Sequence, residues 1–175
     1  MQEQVVIDCE MTGLDITMNH RVVSIGALFL SKNGKVKEEY YQEIRPVGKC
    51  VYDDEAADIH GMNVNDIMSN YPSTEVIKEF HKKIKPNSTI IGWCVQKDLE
   101  MLNNEFNLLG LVSPFSYRIY DLHSVFINNY GKSLPLEDVS DILHIKLKRG
   151  KQHNALEDAQ IAYEIYRKLS KVPMY

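Results

Sequence analysis

From Val22 to Leu30 (VVSIGALFL) almost every position is apolar, whereas the stretch that follows, residues 35–43, carries charge along its length. An unbroken apolar run suits a strand covered on both faces, and a charged one suits the edge of a sheet. With the shorter run at 4–9 this predicts three strands, over residues 4–9, 22–30 and 36–44. The second and third are joined through Asn33-Gly34, a pair favoured in hairpin turns. Beyond Ser73 the period changes. Ser73 is placed to cap a helix through about residue 84, residues 89–93 read as a strand, 96–109 as a helix ended by Gly110, and 117–120 as a last strand. Helices over 122–130, 135–143 and 155–169 complete the pattern. A meander followed by alternating helices and strands predicts an α/β fold, a mixed sheet with helices on its faces. Strand order does not follow from the pattern.

Composition narrows the class. A chain of 175 residues with 44% hydrophobic content suits one domain with a core of its own, and no repeat or low-complexity linker divides it. The three cysteines, Cys9, Cys50 and Cys94, are odd in number and form no CxxC pair, which points to a reducing compartment. No charged and then apolar leader precedes the first strand, so the expected location is cytoplasmic, with no membrane partner. A net charge of −4 argues weakly against a nucleic-acid partner. Its distribution argues the other way, because Lys146, Lys148, Arg149 and Lys151 crowd together just before His153 and could meet phosphates.

The candidate chemistry lies in three separate stretches: Asp8 and Glu10 in VVIDCEMTGL, Asp98 in IIGWCVQKDLEML, and His153 with Asp158 in QHNALEDAQIAYEIY. A strand puts positions i and i+2 on one face, so Asp8 and Glu10 stand together and Cys9 points into the core. Two carboxylates repel there unless a divalent cation such as Mg²⁺ or Mn²⁺ takes them as ligands. Asp158 lies on the inward side of the last helix, one turn before Ala162, where a buried carboxylate requires a partner. Five residues of continuous helix would set His153 about 140° away from it. Asn154, with Glu157 three residues on, instead reads as a helix cap with its capping-box partner, so His153 lies outside the helix and can lean over the first turn. A histidine there can take a proton from water near neutral pH.

In order and spacing, the Asp8-to-Leu14 segment, the Gly92-to-Asp98 segment and the His153-to-Ala159 segment resemble the three motifs of the DEDDh 3′-to-5′ exonuclease superfamily. Ile59-His60-Gly61-Met62 is similar to an element of its proofreading epsilon-subunit branch, and Glu10-Met11-Thr12-Gly13-Leu14 to its oligoribonuclease branch, with RNase T a further member of the superfamily that the chain resembles. The resemblance implies a ribonuclease-H-like sheet flanked by helices, forming a single exonuclease domain over residues 1–175. It implies two Mg²⁺ or Mn²⁺ ions held by Asp8, Glu10, Asp98 and Asp158, with His153 as general base releasing 5′-mononucleotides from single-stranded DNA or RNA 3′ ends. Substrate contacts fall to Met11, Thr12, Gly13, Leu14, His60, Trp93 and Asn154. A polymerase or a second copy of the chain is the further partner to consider, and the alternative is a non-catalytic nucleic-acid-binding or polymerase-associated module of the same fold. One departure stands out. Many members carry His-Asn five and four residues before the second-motif aspartate, where this chain has Trp93 and Cys94.

Overall fold

A computed structural model describes residues 3–147 and 150–170. Its sheet comprises β1 (Gln4–Met11), β2 (Val22–Leu30), β3 (Val36–Arg45), β4 (Tyr71–Pro72), β5 (Thr89–Gly92) and β6 (Ile119–Asp121), in the order β4-β3-β2-β1-β5-β6. β1, β2 and β3 form the antiparallel meander, while β5 runs parallel to β1, β6 to β5 and β4 to β3. Among the described residues seven α-helices accompany the strands, besides one 3-10 turn at Ile16–Met18: α1 (Asp54–His60), α2 (Val64–Met68), α3 (Ser73–Lys83), α4 (Gln96–Leu108), α5 (Leu122–Tyr130), α6 (Leu136–Ile142) and α7 (Ala155–Leu169). The mixed α/β class expected from the pattern is the one that forms.

β1 and β2 are central, and their side chains divide between two cores. Val5, Ile7, Cys9 and Met11 of β1 pack with Phe80 of α3 and with Leu99, Leu102 and Phe106 of α4. Val6 packs on the opposite side, with Phe126 of α5, Val139 of α6 and Ala159, Ala162 and Ile165 of α7. β2 is buried at every position. β3 pairs with β4 only at Ile44 and Arg45, so its charged first part lies at the edge, as its composition predicts.

Departures from the expected elements have local causes. α1, α2 and β4 are short and carry no sustained apolar period, so the pattern gave no sign of them. Ser73 lies inside α3 rather than capping it; Pro72 takes the cap position, and the Ser73 hydroxyl accepts the Val47 N–H at 3.1 Å. The turn at Asn33-Gly34 is a longer loop, in which Ser31 donates its N–H to the Lys35 carbonyl at 2.8 Å and Gly34 takes φ +76. β5 stops at Gly92 because Cys94 turns the chain with φ +51, a left-handed conformation that L side chains rarely adopt.

A buried ion pair ties the two ends of this architecture. Arg21, just before β2, donates Nε and Nη2 to the two carboxylate oxygens of Glu105 on α4 at 2.6 and 2.7 Å. Its Nη1 reaches the Val47 and Lys49 carbonyls at 3.0 and 3.2 Å, fixing the chain after β3. Both side chains are buried. Glu105→Gln would leave a buried guanidinium without its counter-charge, and the expected loss is about 3–5 kcal/mol in denaturant-induced unfolding; a loss under about 1 kcal/mol would show that the pair contributes little beyond packing. Cys94 supplies a test of opposite sign. Asparagine tolerates the left-handed region far better than cysteine, so Cys94→Asn should raise stability by about 0.5–1 kcal/mol in the same assay, and a decrease would contradict the strain assigned to this turn.

Candidate active site

The alternation of β1 sends Asp8 and Glu10 to the face opposite Cys9, the face on which α7 packs. In the antiparallel register Asp8 sits beside Gly26 of β2 and Glu10 beside Ser24. The glycine is what lets the helix in: a Cβ at Gly26 would stand 2.2 Å from the carbonyl carbon and oxygen of Ala155. α7 therefore lands its first turn directly on β2 next to the two carboxylates, bringing Asp158 with it. A single glycine inside the apolar run VVSIGALFL was the available signal for that close approach.

The start of α7 has the expected geometry with one change. The Asn154 side chain accepts the N–H groups of Leu156 and Glu157 at 3.0 and 3.2 Å, and His153 stays outside the helix. Glu157 does not reach back to the cap backbone; its carboxylate accepts the Gly150 N–H at 2.9 Å, because residues 150–153 fold over the first turn. His153 is further held by its own N–H to the Ile59 carbonyl at 3.0 Å, which ties this lead-in to the end of α1. Its Nδ1 lies 3.3 Å from Asp158 Oδ2. Glu10, His153 and Asp158 can each offer one ligand atom within 4.8 Å of the others, two of them buried carboxylates. Asp8 is half-buried on the same face of β1.

Asp98 approaches from the other layer. β1 pairs with β5 over Gln4–Val6, and beyond that the Cys9 N–H is taken by Asp98 Oδ1 at 2.9 Å. Burial pushes this carboxyl from its usual 3.8 up to about 8; the Cys9 N–H and the residue's own N–H pull it down, and Glu10 and Asp121 add repulsion. Burial likewise raises the Cys9 thiol, with Asp98, Asp8 and Glu10 adding to it. A site in which a buried aspartate is driven toward its neutral form chiefly by burial, with neighbouring carboxylates adding to it, is one that a hard divalent cation would stabilise.

A cavity of about 470 Å³ opens beside these groups, bounded by Glu10, Met11, Gly13, Leu14, Trp93 and Asp98 among others. Leu14 is exposed and its carbonyl accepts from Lys97 Nζ at 3.1 Å. Met11 and Thr12 are buried, and the Thr12 hydroxyl accepts the Arg21 N–H at 3.0 Å, so the segment is held from behind. Trp93 rests against the His123 and Phe126 rings, with centroids 5.1 and 6.2 Å apart. His60 is buried between this cavity and a second hollow of about 380 Å³ that includes His153, Asn154 and Lys151. His60 Nδ1 accepts the Met62 N–H at 3.1 Å, and burial lowers its pKa against a contrary pull from the Met11 backbone. Tyr41 joins the second hollow with its hydroxyl raised to about 12, chiefly by burial. Of the basic run, Lys146 and Lys151 are exposed, and Lys148 and Arg149 lie outside the described residues. Two residues that the sequence reading passed over, Asp53 and Glu55 of the α1 start, also border the main cavity.

Among curated proteins the chain is similar to the DNA polymerase III epsilon subunits of Rickettsia prowazekii, 25% identical over 167 residues, and Rickettsia conorii, 23% over 170. These alignments take in 93% and 95% of this chain and 72% and 73% of those proteins. Among solved structures it superposes on Escherichia coli Exonuclease I in complex with a dT13 oligonucleotide, with a TM-score of 0.82 at 17% identity, covering 98% of this chain and 41% of that one. Exonuclease I from Methylocaldum szegediense gives 0.79 at 15% identity, with 95% and 40% covered. The chain thus spans about two fifths of those enzymes and shares their ribonuclease-H-like α/β fold. The RNase_T exonuclease family profile matches residues 5–166, nearly the whole sequence. With the motifs of the DEDDh superfamily in order along it, the chain belongs to that exonuclease family.

Proposed function

We propose that this protein is a metal-dependent 3′-to-5′ exonuclease that shortens single-stranded DNA or RNA by hydrolysis to 5′-mononucleotides, working as one domain over residues 1–175 in the cytoplasm. The observation that carries the reading is the convergence of Glu10, His153 and Asp158 within 4.8 Å at the edge of a nucleotide-sized cavity. Among the described residues no helix is long and apolar enough to cross a membrane.

Asp8, Glu10 and Asp158 would hold two Mg²⁺ or Mn²⁺ ions, with Asp98 contributing directly or through water. Such ions, when bound, lower the pKa of water and stabilise charge on phosphoryl and leaving oxygens. The rest falls to the chain's own groups. His153 presents Nδ1 to Asp158, which orients the ring and leaves Nε2 to accept a proton from the attacking water. Met11, Gly13 and Leu14 form one wall for the terminal nucleotide, Trp93 forms another, and His60 and Asn154 stand nearby, while Thr12, expected among the contacts, is buried behind the wall with its hydroxyl taken by the Arg21 N–H. The hollow beside Lys151 offers a path for the preceding phosphates. A zinc-bound form of the Exonuclease I complex with single-stranded DNA, at 18% identity, supports divalent-metal binding by this fold. The epsilon-subunit relatives favour a second reading, a polymerase-associated exonuclease module, which co-purification with a replicative polymerase would test.

Asp8→Ala and Asp158→Ala should each abolish turnover with the fold retained by circular dichroism; hydrolysis that resists a chelator, or a near-parental rate in either variant, refutes the metal assignment. His153→Ala should lower turnover by roughly 10²- to 10⁴-fold with metal affinity much less affected. Equal loss of metal binding in calorimetry would make His153 a ligand instead.

The buried acid also sets a pH dependence. Because Asp98 is raised to about 8 from 3.8, the folded chain keeps a proton that the unfolded chain has lost, so this group's contribution to stability declines as pH rises through that interval. Asp98→Asn keeps an acceptor for the Cys9 N–H and removes the titration. With chelator present, the Tm advantage of the variant should widen between 3.8 and about 8 and level off above. A gap that stays constant with pH would mean that Asp98 is ionised throughout.

A further inference from the structure

Asp53 occupies the cap position of α1 with extended backbone angles (φ −90, ψ 132), yet its side chain makes no capping bond. Its carboxylate is directed elsewhere. Oδ1 lies 3.3 Å from Nε2 of His20, a buried ring whose Nδ1 accepts the Asp15 N–H at 3.0 Å. With Nδ1 committed as acceptor, the ring's proton sits on Nε2, the atom next to Asp53, although the contact falls short of hydrogen-bond geometry. The Asp53 backbone is fixed as well, its N–H going to the Thr12 carbonyl at 2.8 Å. Gly13 leaves the room for this arrangement: it takes φ +149, and a Cβ there would stand 2.5 Å from Asp53 Oδ2 and from the His20 ring. Asp53 is thus locked against the Met11-to-Leu14 segment, half-exposed, on the wall of the cavity that also holds Glu10 and Asp98.

We propose that Asp53, positioned by His20, is a specificity-determining residue that accepts a hydrogen bond from the 3′-terminal nucleotide. The inference rests on the reading that this cavity receives that nucleotide. A carboxylate is an acceptor only, so its partner is an O–H or N–H group, and nucleotides carry two kinds: the sugar hydroxyls and the base amino or imino groups. It repels phosphate, so an end bearing a 3′-phosphate is disfavoured by the same group. His20 serves as a positioning residue, since it lies behind the carboxylate rather than in the cavity.

The test uses the full chain and one single-stranded oligomer with four different 3′ ends: ribonucleotide, 2′-deoxy, 2′,3′-dideoxy and 2′-deoxy abasic. On the ends that keep the donor, Asp53→Ala should lower kcat/KM by roughly ten- to a hundredfold, the usual worth of a hydrogen bond to a charged group. Removing the donor should cost the parent a similar factor and cost Asp53→Ala nothing further. The end at which parent and variant converge identifies the source: the dideoxy end marks a sugar hydroxyl, and the abasic end marks the base. Asp53→Asn should fall between the two, and His20→Gln should reduce the discrimination with a smaller effect on kcat. The same ends are also read by fluorescence anisotropy in a chelator, without turnover. Absence of hydrolysis by the parent then counts against the proposed function alone, while end-selective loss of binding in Asp53→Ala still supports the role of Asp53. Equal losses on all four ends, or changes within about twofold on every end, overturn it.

Discussion

Asp98 reaches from the first turn of α4 to the Cys9 N–H, near the C-terminal end of β1, and by doing so joins the two layers at the point where the acidic groups gather. β1 has no β5 partner there among the described residues, so the aspartate substitutes for a neighbouring strand. The bond has an electrostatic cost. It holds a buried carboxyl beside Glu10 at the cavity wall, and burial drives that carboxyl toward its neutral form. A fold optimised only for stability would put an apolar group or an amide there. Keeping an acid trades stability for a carboxyl oxygen fixed beside the other acidic groups before any ligand arrives.

The surrounding structure makes that concentration rigid. Gly26 lets α7 approach β2 closely enough to deliver Asp158, and the Asn154 cap turns the chain so that His153 faces it. On the opposite layer, Glu105 lies two turns after Asp98 on α4 and grips Arg21, whose backbone N–H in turn goes to the Thr12 hydroxyl. One helix therefore positions both an acid and the segment that forms the cavity wall. Shifts in α4 would reach the carboxylates and the Met11-to-Leu14 wall together.

Much of this was legible in the residues. The apolar run of β2, the charged edge of β3 and the inward stripe of α7 follow from burial, and the pairing of Asp8 with Glu10 follows from the two-residue repeat of a strand. The cap at Asn154 was readable because its geometry is local. What escaped depends on contacts between distant parts of the chain. α1 and α2 are too short for an apolar period to emerge, and Asp53 read as nothing more than one acid among several in YDDEAAD. His20 gave no signal, since its partners Asp15 and Asp53 become meaningful only when the chain folds around Gly13. The turn at Cys94 was visible as a departure from the family's asparagine. Its backbone consequence, a left-handed residue at the lip of the cavity, was not.

The most direct test of the account is the product pattern from a 5′-labelled single-stranded oligomer incubated with the chain and Mg²⁺, followed over time by gel electrophoresis and mass spectrometry. The arrangement of Glu10, His153 and Asp158 beside the cavity that Glu10 lines, taken with the proposed exonuclease reading, predicts a ladder shortened one nucleotide at a time from the 3′ end, with 5′-mononucleotides as the released species. Internal cuts, shortening from the 5′ end, or an unaltered oligomer would contradict it.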